Sequence, residues 1–216
     1  MIAKNLKYRF YTSCALLSLL ILIFKNNLIL VFSLIILGVL SLLEFYNLVS
    51  KIFKNRFYLF NCNVLFTIYV FSYCFLFFYF SHFPLLKTII FSLLLGCIAS
   101  DIGGFIFGKI FKGPKLTKIS PNKTISGSIG SFIFSIIIIS SSIFYFTKNL
   151  SYEILTVSLA VSFACQLGDL FFSYLKRKAK IKNSGNLLPG HGGVLDRLDG
   201  IFFGVPFGFL ILTFIY

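Results

Sequence analysis

Long apolar runs separated by short polar breaks dominate the chain. Seven of them, at about 10–24, 28–49, 57–80, 86–108, 127–147, 153–175 and 200–216, approach or exceed the ~20 residues a helix needs to cross a bilayer. The first and last are short, so they are expected to tilt less or to sit shallowly. No sustained period-two alternation of the barrel kind is present, and lipid offers no partner to an exposed backbone group, so the runs must be helices. The predicted fold class is an all-α integral membrane protein, a polytopic bundle of about seven transmembrane helices. Lys4, Lys7 and Arg9 ahead of the first run mimic a signal peptide. No small-residue cleavage site follows, and Lys25-Asn26-Asn27 leads directly into the next run, so this segment is expected to be a first span.

Composition supports that pattern. Of 216 residues, 58% are hydrophobic and only 12% charged, with a mean hydropathy of +0.95. Soluble domains are about 25% charged, which excludes an ordinary soluble enzyme and a disordered chain alike. The charge is lopsided, with 20 Lys and Arg against 6 Asp and Glu. In a soluble protein that balance would suggest nucleic acid, but here the positive-inside rule accounts for it and no nucleic-acid partner is expected. Seventeen of the twenty basic residues fall on one side of a seven-span layout, leaving Lys25, Lys87 and Lys148 on the other. The expected orientation is therefore N-terminus cytoplasmic and C-terminus outside. Cys14, Cys62, Cys74, Cys97 and Cys165 all lie in apolar runs without a C-x-x-C pair, so they are expected as small packing residues.

Two of the inner breaks are long, at 109–126 and 176–199, and both are rich in Gly, Pro, Lys and Ser. Loops of that length are uncommon unless they carry function. The expected organisation is a scaffold of N-terminal helices over 1–85, followed by a catalytic transmembrane region over 86–216 that contains both loops. No internal repeat is apparent.

The six acids are the next signal, since each costs about 2.5–3.5 kcal/mol at a helix centre. Asp101 and Asp169 sit seven or eight residues inside the inner ends of their spans, roughly 10–12 Å deep at about 1.5 Å per residue. Asp196 and Asp199 stand at the start of the last span, so all four are expected at one depth on the cytoplasmic side. Glu44, near the inner end of the second span, is expected to pair with a loop lysine, and Glu153 to be solvated. Gly103, Gly104 and Gly108 follow Asp101, Gly168 precedes Asp169, and Gly200, Gly204 and Gly208 form a small-xxx-small stripe, all suited to close helix packing. The last stripe also offers a face for a homodimer. Gly103 to Lys109 has the spacing of a phosphate-binding loop, but Ile110 stands where Ser or Thr is needed and no strand precedes it, so that match is rejected.

In the first loop, Ser120-Pro121-Asn122-Lys123-Thr124 puts hydroxyls and an ammonium beside a turn, which suits phosphate oxygens. In the second, Leu188-Pro189-Gly190-His191-Gly192-Gly193-Val194-Leu195-Asp196-Arg197-Leu198-Asp199 surrounds one histidine with three glycines that permit backbone approach to a ligand. Aspartates three apart share a helix face, and carboxylates supply the oxygens Mg²⁺ prefers, with phosphates and water completing its shell. The basic cluster Lys176, Arg177, Lys178, Lys180 and Lys182 also fits anionic lipid headgroups. The residues by themselves point to a membrane enzyme handling phosphates with a divalent metal at the inner face.

Ser173-Tyr174-Leu175-Lys176-Arg177, Lys182, Gly185, Leu188-Pro189, His191-Gly192-Gly193 and Asp196-Arg197-Leu198-Asp199 closely resemble the C-terminal motif of the phosphatidate cytidylyltransferases, or CDP-diacylglycerol synthases. Asp101 to Lys109, Ser120 to Thr124 and Gly168-Asp169 resemble that family's preceding motifs. The resemblance covers about 95–205, and the first 90 residues match only as generic spans. It implies transfer of a cytidylyl group from CTP to phosphatidic acid, giving CDP-diacylglycerol and pyrophosphate for phospholipid biosynthesis, most readily in a bacterial cytoplasmic membrane. It implies Mg²⁺, with a second metal ion in keeping with two-metal chemistry, and Asp169 and Asp196 as metal ligands supported by Asp199 and Asp101. The catalytic set so implied is Asp169, Asp196, Asp199, His191, Lys176 and Arg177. The substrate-binding set is Asp101, Lys109, Ser120, Lys123, Thr124, Lys182, Gly192, Gly193 and Arg197.

The chain departs from the family pattern in Asn183, where an aspartate is usual, and in Ser126, where a glutamate is common. It is also shorter than typical members, which implies one or two fewer N-terminal spans. Another CTP-dependent lipid enzyme, either a polyprenol kinase or a CDP-archaeol-type synthase, would carry similar loop chemistry. A transporter would use the intramembrane aspartates as ion sites, but the lack of inverted repeats speaks against it.

Overall fold

The computed structural model describes residues 2–148, 151–187 and 192–215, with side chains described from Tyr11 onward. Seven α-helices follow one another: α1 (Ile2–Lys25), α2 (Asn27–Ile52), α3 (Arg56–Ser81), α4 (Pro84–Ile110), α5 (Ile125–Thr147), α6 (Tyr152–Lys178) and α7 (Leu195–Ile215). Each corresponds to one of the seven apolar runs. Six, α2 to α7, are long and apolar enough to cross a membrane, whereas the described apolar part of α1 is the shorter Tyr11–Lys25. The protein is a polytopic membrane protein. An isolated antiparallel bridge joins Lys115 and Thr124.

The helices run further than the apolar runs do. α6 carries Lys176, Arg177 and Lys178 in its last turn, and α7 begins at Leu195, so Asp196, Arg197 and Asp199 are helical rather than in the loop. The described loop residues are 111–124, 179–187 and 192–194. α6 ends in a Schellman arrangement, with the Ile181 N–H on the Lys176 carbonyl and the Lys180 N–H on that of Arg177, each at 3.0 Å. Lys180 takes the left-handed conformation, at φ 57°, that glycine usually fills.

Contacts divide the chain into two compact units, one of residues 1–82 with 175–198 and one of 83–174 with 199–216. In the first, α2 and α3 pack through Gly38 against Val70 and Cys74, and Phe45 stacks on Phe66 at 3.8 Å between centroids. In the second, α4 and α5 approach at backbone distance. A Cβ on Gly103 would strike the Gly130 carbonyl oxygen, and one on Gly127 would strike that of Gly104. α6 and α7 meet the same way, with Gly168 under the Asp199 carbonyl. The stripe Gly200, Gly204 and Gly208 packs on Cys165, Cys97 and Val161 of the same chain. All three glycines are buried, which corrects the expectation that the stripe is a face for a second copy.

Buried serines bind these helices to one another. The Ser131 hydroxyl donates to the Ser100 carbonyl at 2.8 Å, the Ser100 and Ser162 hydroxyls meet at 3.0 Å, and Gln166 donates to Ser162 while accepting from Ser128. Between apolar helices in lipid, such hydrogen bonds and close small-residue packing replace the hydrophobic drive that water would supply.

Candidate active site

In the second unit, Asp169 accepts a hydrogen bond and ion pair from the Lys123 ammonium at 2.6 Å. The loop that delivers Lys123 is pinned on both sides of it: its N–H donates to the Ser120 carbonyl at 3.0 Å, and its carbonyl accepts from Leu116 at 2.8 Å. One residue on, Thr124 caps α5 by accepting from the Gly127 N–H at 3.1 Å. The turn leaving α4 passes through Gly113 at φ 109°. Ser126 closes the loop from its other end by donating to the Lys112 carbonyl. The hydroxyl at this family-divergent position therefore has a local structural use.

Asp101 lies in the same unit and, like Asp169, near Cys165. Its carboxylate is 3.9 Å from the Cys165 thiol, and a Cβ on Gly200 would lie within 3.6 Å of Asp169 and 2.6 Å of Cys165. Asp199 is buried and accepts from the Gly200 N–H at 3.0 Å. This unit thus holds the Lys123–Asp169 pair, with Asp101 near Cys165 and Asp199 near the start of α7. Lys109 is exposed, its ammonium 5.8 Å from the Phe105 ring, and Ser120 serves the loop through its backbone.

In the first unit, the Lys176 ammonium pairs with Asp196 Oδ1 at 2.7 Å, and both side chains are largely buried, at 13% and 11% exposure. The other oxygen of Asp196 accepts from the Ser184 and Gly193 N–H groups at 2.9 and 3.0 Å. Gly192 makes this approach possible: its φ of 91° favours glycine, and a Cβ there would press on Asp196 Oδ2. Asn183 lies against the same glycine. Arg177, Lys182 and Arg197 are exposed, and His191 lies outside the described residues.

Glu44 corrects an expectation. It does not pair with a loop lysine in the structure. Its carboxylate is 4% exposed and accepts from the Val194 N–H at 3.0 Å, the Leu195 N–H at 2.9 Å and the Ser184 hydroxyl at 2.7 Å. Val194 precedes α7 and has no side-chain acceptor for the unpaired donors at a helix start. Glu44 supplies that cap from α2. A helix beginning after Val, with a lone acid in another span, is the sequence signal that would have revealed it.

The cytidylyltransferase family model matches residues 2–215. The chain belongs to that family. Among its relatives, the phosphatidate cytidylyltransferase of Staphylococcus haemolyticus is 45% identical over 109 residues, which is 50% of this chain and 42% of the relative. That of Staphylococcus aureus is 41% identical over 134 residues, 61% of this chain and 51% of the relative. That of Helicobacter pylori is 43% identical over 115 residues, with 52% and 42% covered. The chain spans about half the length of these curated relatives.

Proposed function

We propose that the protein transfers a cytidylyl group from CTP to phosphatidic acid, forming CDP-diacylglycerol and pyrophosphate in a bacterial cytoplasmic membrane, with its N-terminus inside. A phosphate oxygen of the lipid attacks the α-phosphorus of CTP, the bond from that phosphorus to the bridging oxygen of the β-phosphate breaks, and pyrophosphate leaves. The task of the protein is to hold two repelling phosphate groups in line and offset their charge, so positioning and electrostatics dominate. The cations proposed to bind phosphate are Lys123 within one unit and Lys176, Arg177, Lys182 and Arg197 within the other, with arginine suited to bidentate contact. His191, Gly192 and Gly193 would shape the nucleotide phosphate pocket.

The observation that carries the reading is the arrangement at Asp196, in a chain of this family. A carboxylate is fixed by a buried lysine and two backbone amides in a glycine-rich loop rich in cations. Among the described residues no three Asp, Glu, His or Cys side chains form a cation cage. Carboxylate oxygens fit a metal that completes its shell with phosphate and water, as Mg²⁺ does. Asp196 in one unit, and Asp169 with Asp101 and Asp199 in support in the other, would each offer carboxylate oxygens to such an ion, and a second ion fits the same chemistry. Bound Mg²⁺ would neutralise phosphate charge. A homodimer would need a surface other than the buried glycine stripe.

The test is formation of CDP-diacylglycerol and pyrophosphate by detergent-purified protein given CTP and phosphatidate, with and without Mg²⁺, beside Asp196→Asn. Metal-dependent turnover abolished in the variant is expected. A folded wild type inactive on phosphatidate would contradict the reading.

A further inference from the structure

We propose that Glu44 is the positioning residue of the Lys176–Asp196 pair, acting from α2 through Ser184 and the first turn of α7. This rests on the proposed function for its link to turnover. Three successive amides are shared between two carboxylates: the N–H of Gly193 goes to Asp196, and those of Val194 and Leu195 go to Glu44. Ser184 bridges the same two groups, its N–H on Asp196 and its hydroxyl on Glu44. Gly185 and Gly193 both press on the Glu44 carboxylate, where a Cβ on either would collide with it. Glu44 therefore holds both ends of the loop that carries the residues around His191.

The chemistry requires a carboxylate there. Three donors converge on two oxygens, and the buried group has no water to replace a lost acceptor. In Glu44→Gln the amide oxygen can keep Ser184 and Leu195, but the amide nitrogen then faces the Val194 N–H, donor against donor. Relaxation of that clash displaces Gly193 and Ser184, and with them Asp196. A displacement of about 1 Å at a reacting group is enough for a loss on the order of 10²-fold.

The experiment compares full-length Glu44→Gln, Glu44→Ala and Ser184→Ala with wild type in detergent, below the melting temperature of each. Amide hydrogen exchange over 183–196 reads the loop without requiring activity, while kcat and the KM values for CTP and phosphatidate read the pair. We expect at least tenfold faster exchange at 193–195 in Glu44→Gln. We expect kcat to fall ~10–100-fold with both KM values within about threefold, and a smaller loss in Ser184→Ala. If Glu44→Ala does not fold, the isosteric Glu44→Gln decides. Unchanged exchange in folded Glu44→Gln, or faster exchange with kcat within twofold of wild type, overturns the inference. So does a kcat loss that only tracks the unfolded fraction. If wild type makes no CDP-diacylglycerol, the proposed function fails by itself, and the exchange result still decides whether Glu44 positions Asp196.

Discussion

Lys176→Met should destabilise the protein far more than the same change at Lys123, and Asp196→Asn in the same chain should restore most of the loss. Lys176 and Asp196 are 13% and 11% exposed, against 29% and 21% for Lys123 and Asp169. Removing one partner of a fully buried pair costs about 3–5 kcal/mol, while exposed pairs contribute about 0–1. Lys176→Met leaves a desolvated carboxylate still satisfied by two amides, so the loss is placed at about 2–3 kcal/mol. For a chain of this size that corresponds to about 4–12 °C in Tm. Lys123→Met should cost about 1 kcal/mol or less. In the double variant, the Asn oxygen can accept from Ser184 and Gly193 as Asp196 Oδ2 does, and no charge is left buried. Its stability should return to within about 1 kcal/mol of wild type, while turnover stays at least ~10²-fold down because charges proposed to act on the phosphates are gone. Thermal unfolding in detergent and cytidylyl transfer at one temperature measure the two quantities. A double variant as unstable as Lys176→Met would refute the desolvation argument, and one that regains turnover would refute the role of the pair.

Glycine substitutions should split by what surrounds them: Gly103→Ala drives a methyl into the Gly130 carbonyl and should lower stability by about 1–3 kcal/mol. Gly38→Ala meets only Val70 and Cys74 at 3.5 Å and should raise stability by about 0.5–1 kcal/mol through helix propensity. Thermal melts of the two variants check the contrast. Asp169→Asn should reduce turnover by ~10²-fold or more, and chelation should abolish wild-type turnover until Mg²⁺ is restored, which titration with EDTA and then metal would measure.

Element number and type were legible because six of the seven apolar runs have a length and hydropathy that only a helix can satisfy in lipid, and the shorter first run is helical as well. Boundaries were less so. The apolar signal stops where charge begins, yet α6 continues through Lys176 to Lys178 and α7 starts five residues before Gly200, because a helix leaving the hydrocarbon can keep its hydrogen bonds with charged side chains in the polar region. The glycine clusters at 103–104 and 200–208 were readable as close packing, but the partner was not. The second stripe reads equally as an external face until the fold puts Cys165, Cys97 and Val161 against it. Asp169 and Asp196 stood out as acids in costly places, while their partners Lys123 and Lys176 lie 46 and 20 residues away. Glu44 stood out as an acid in a span, but its partners, backbone N–H groups about 150 residues along the chain and the Ser184 hydroxyl, were not legible, so a lysine was expected instead.

The central claim is cytidylyl transfer, and the fate of the CTP phosphates tests it most directly. Protein would be incubated with phosphatidate and CTP labelled at either the α- or the γ-phosphate, and the lipid fraction counted. Attack at the α-phosphorus puts the α-label into lipid and leaves the γ-label in released pyrophosphate, which is the predicted result. A γ-label in the lipid would identify a CTP-dependent kinase instead, and the account of this site as a cytidylyltransferase would be wrong.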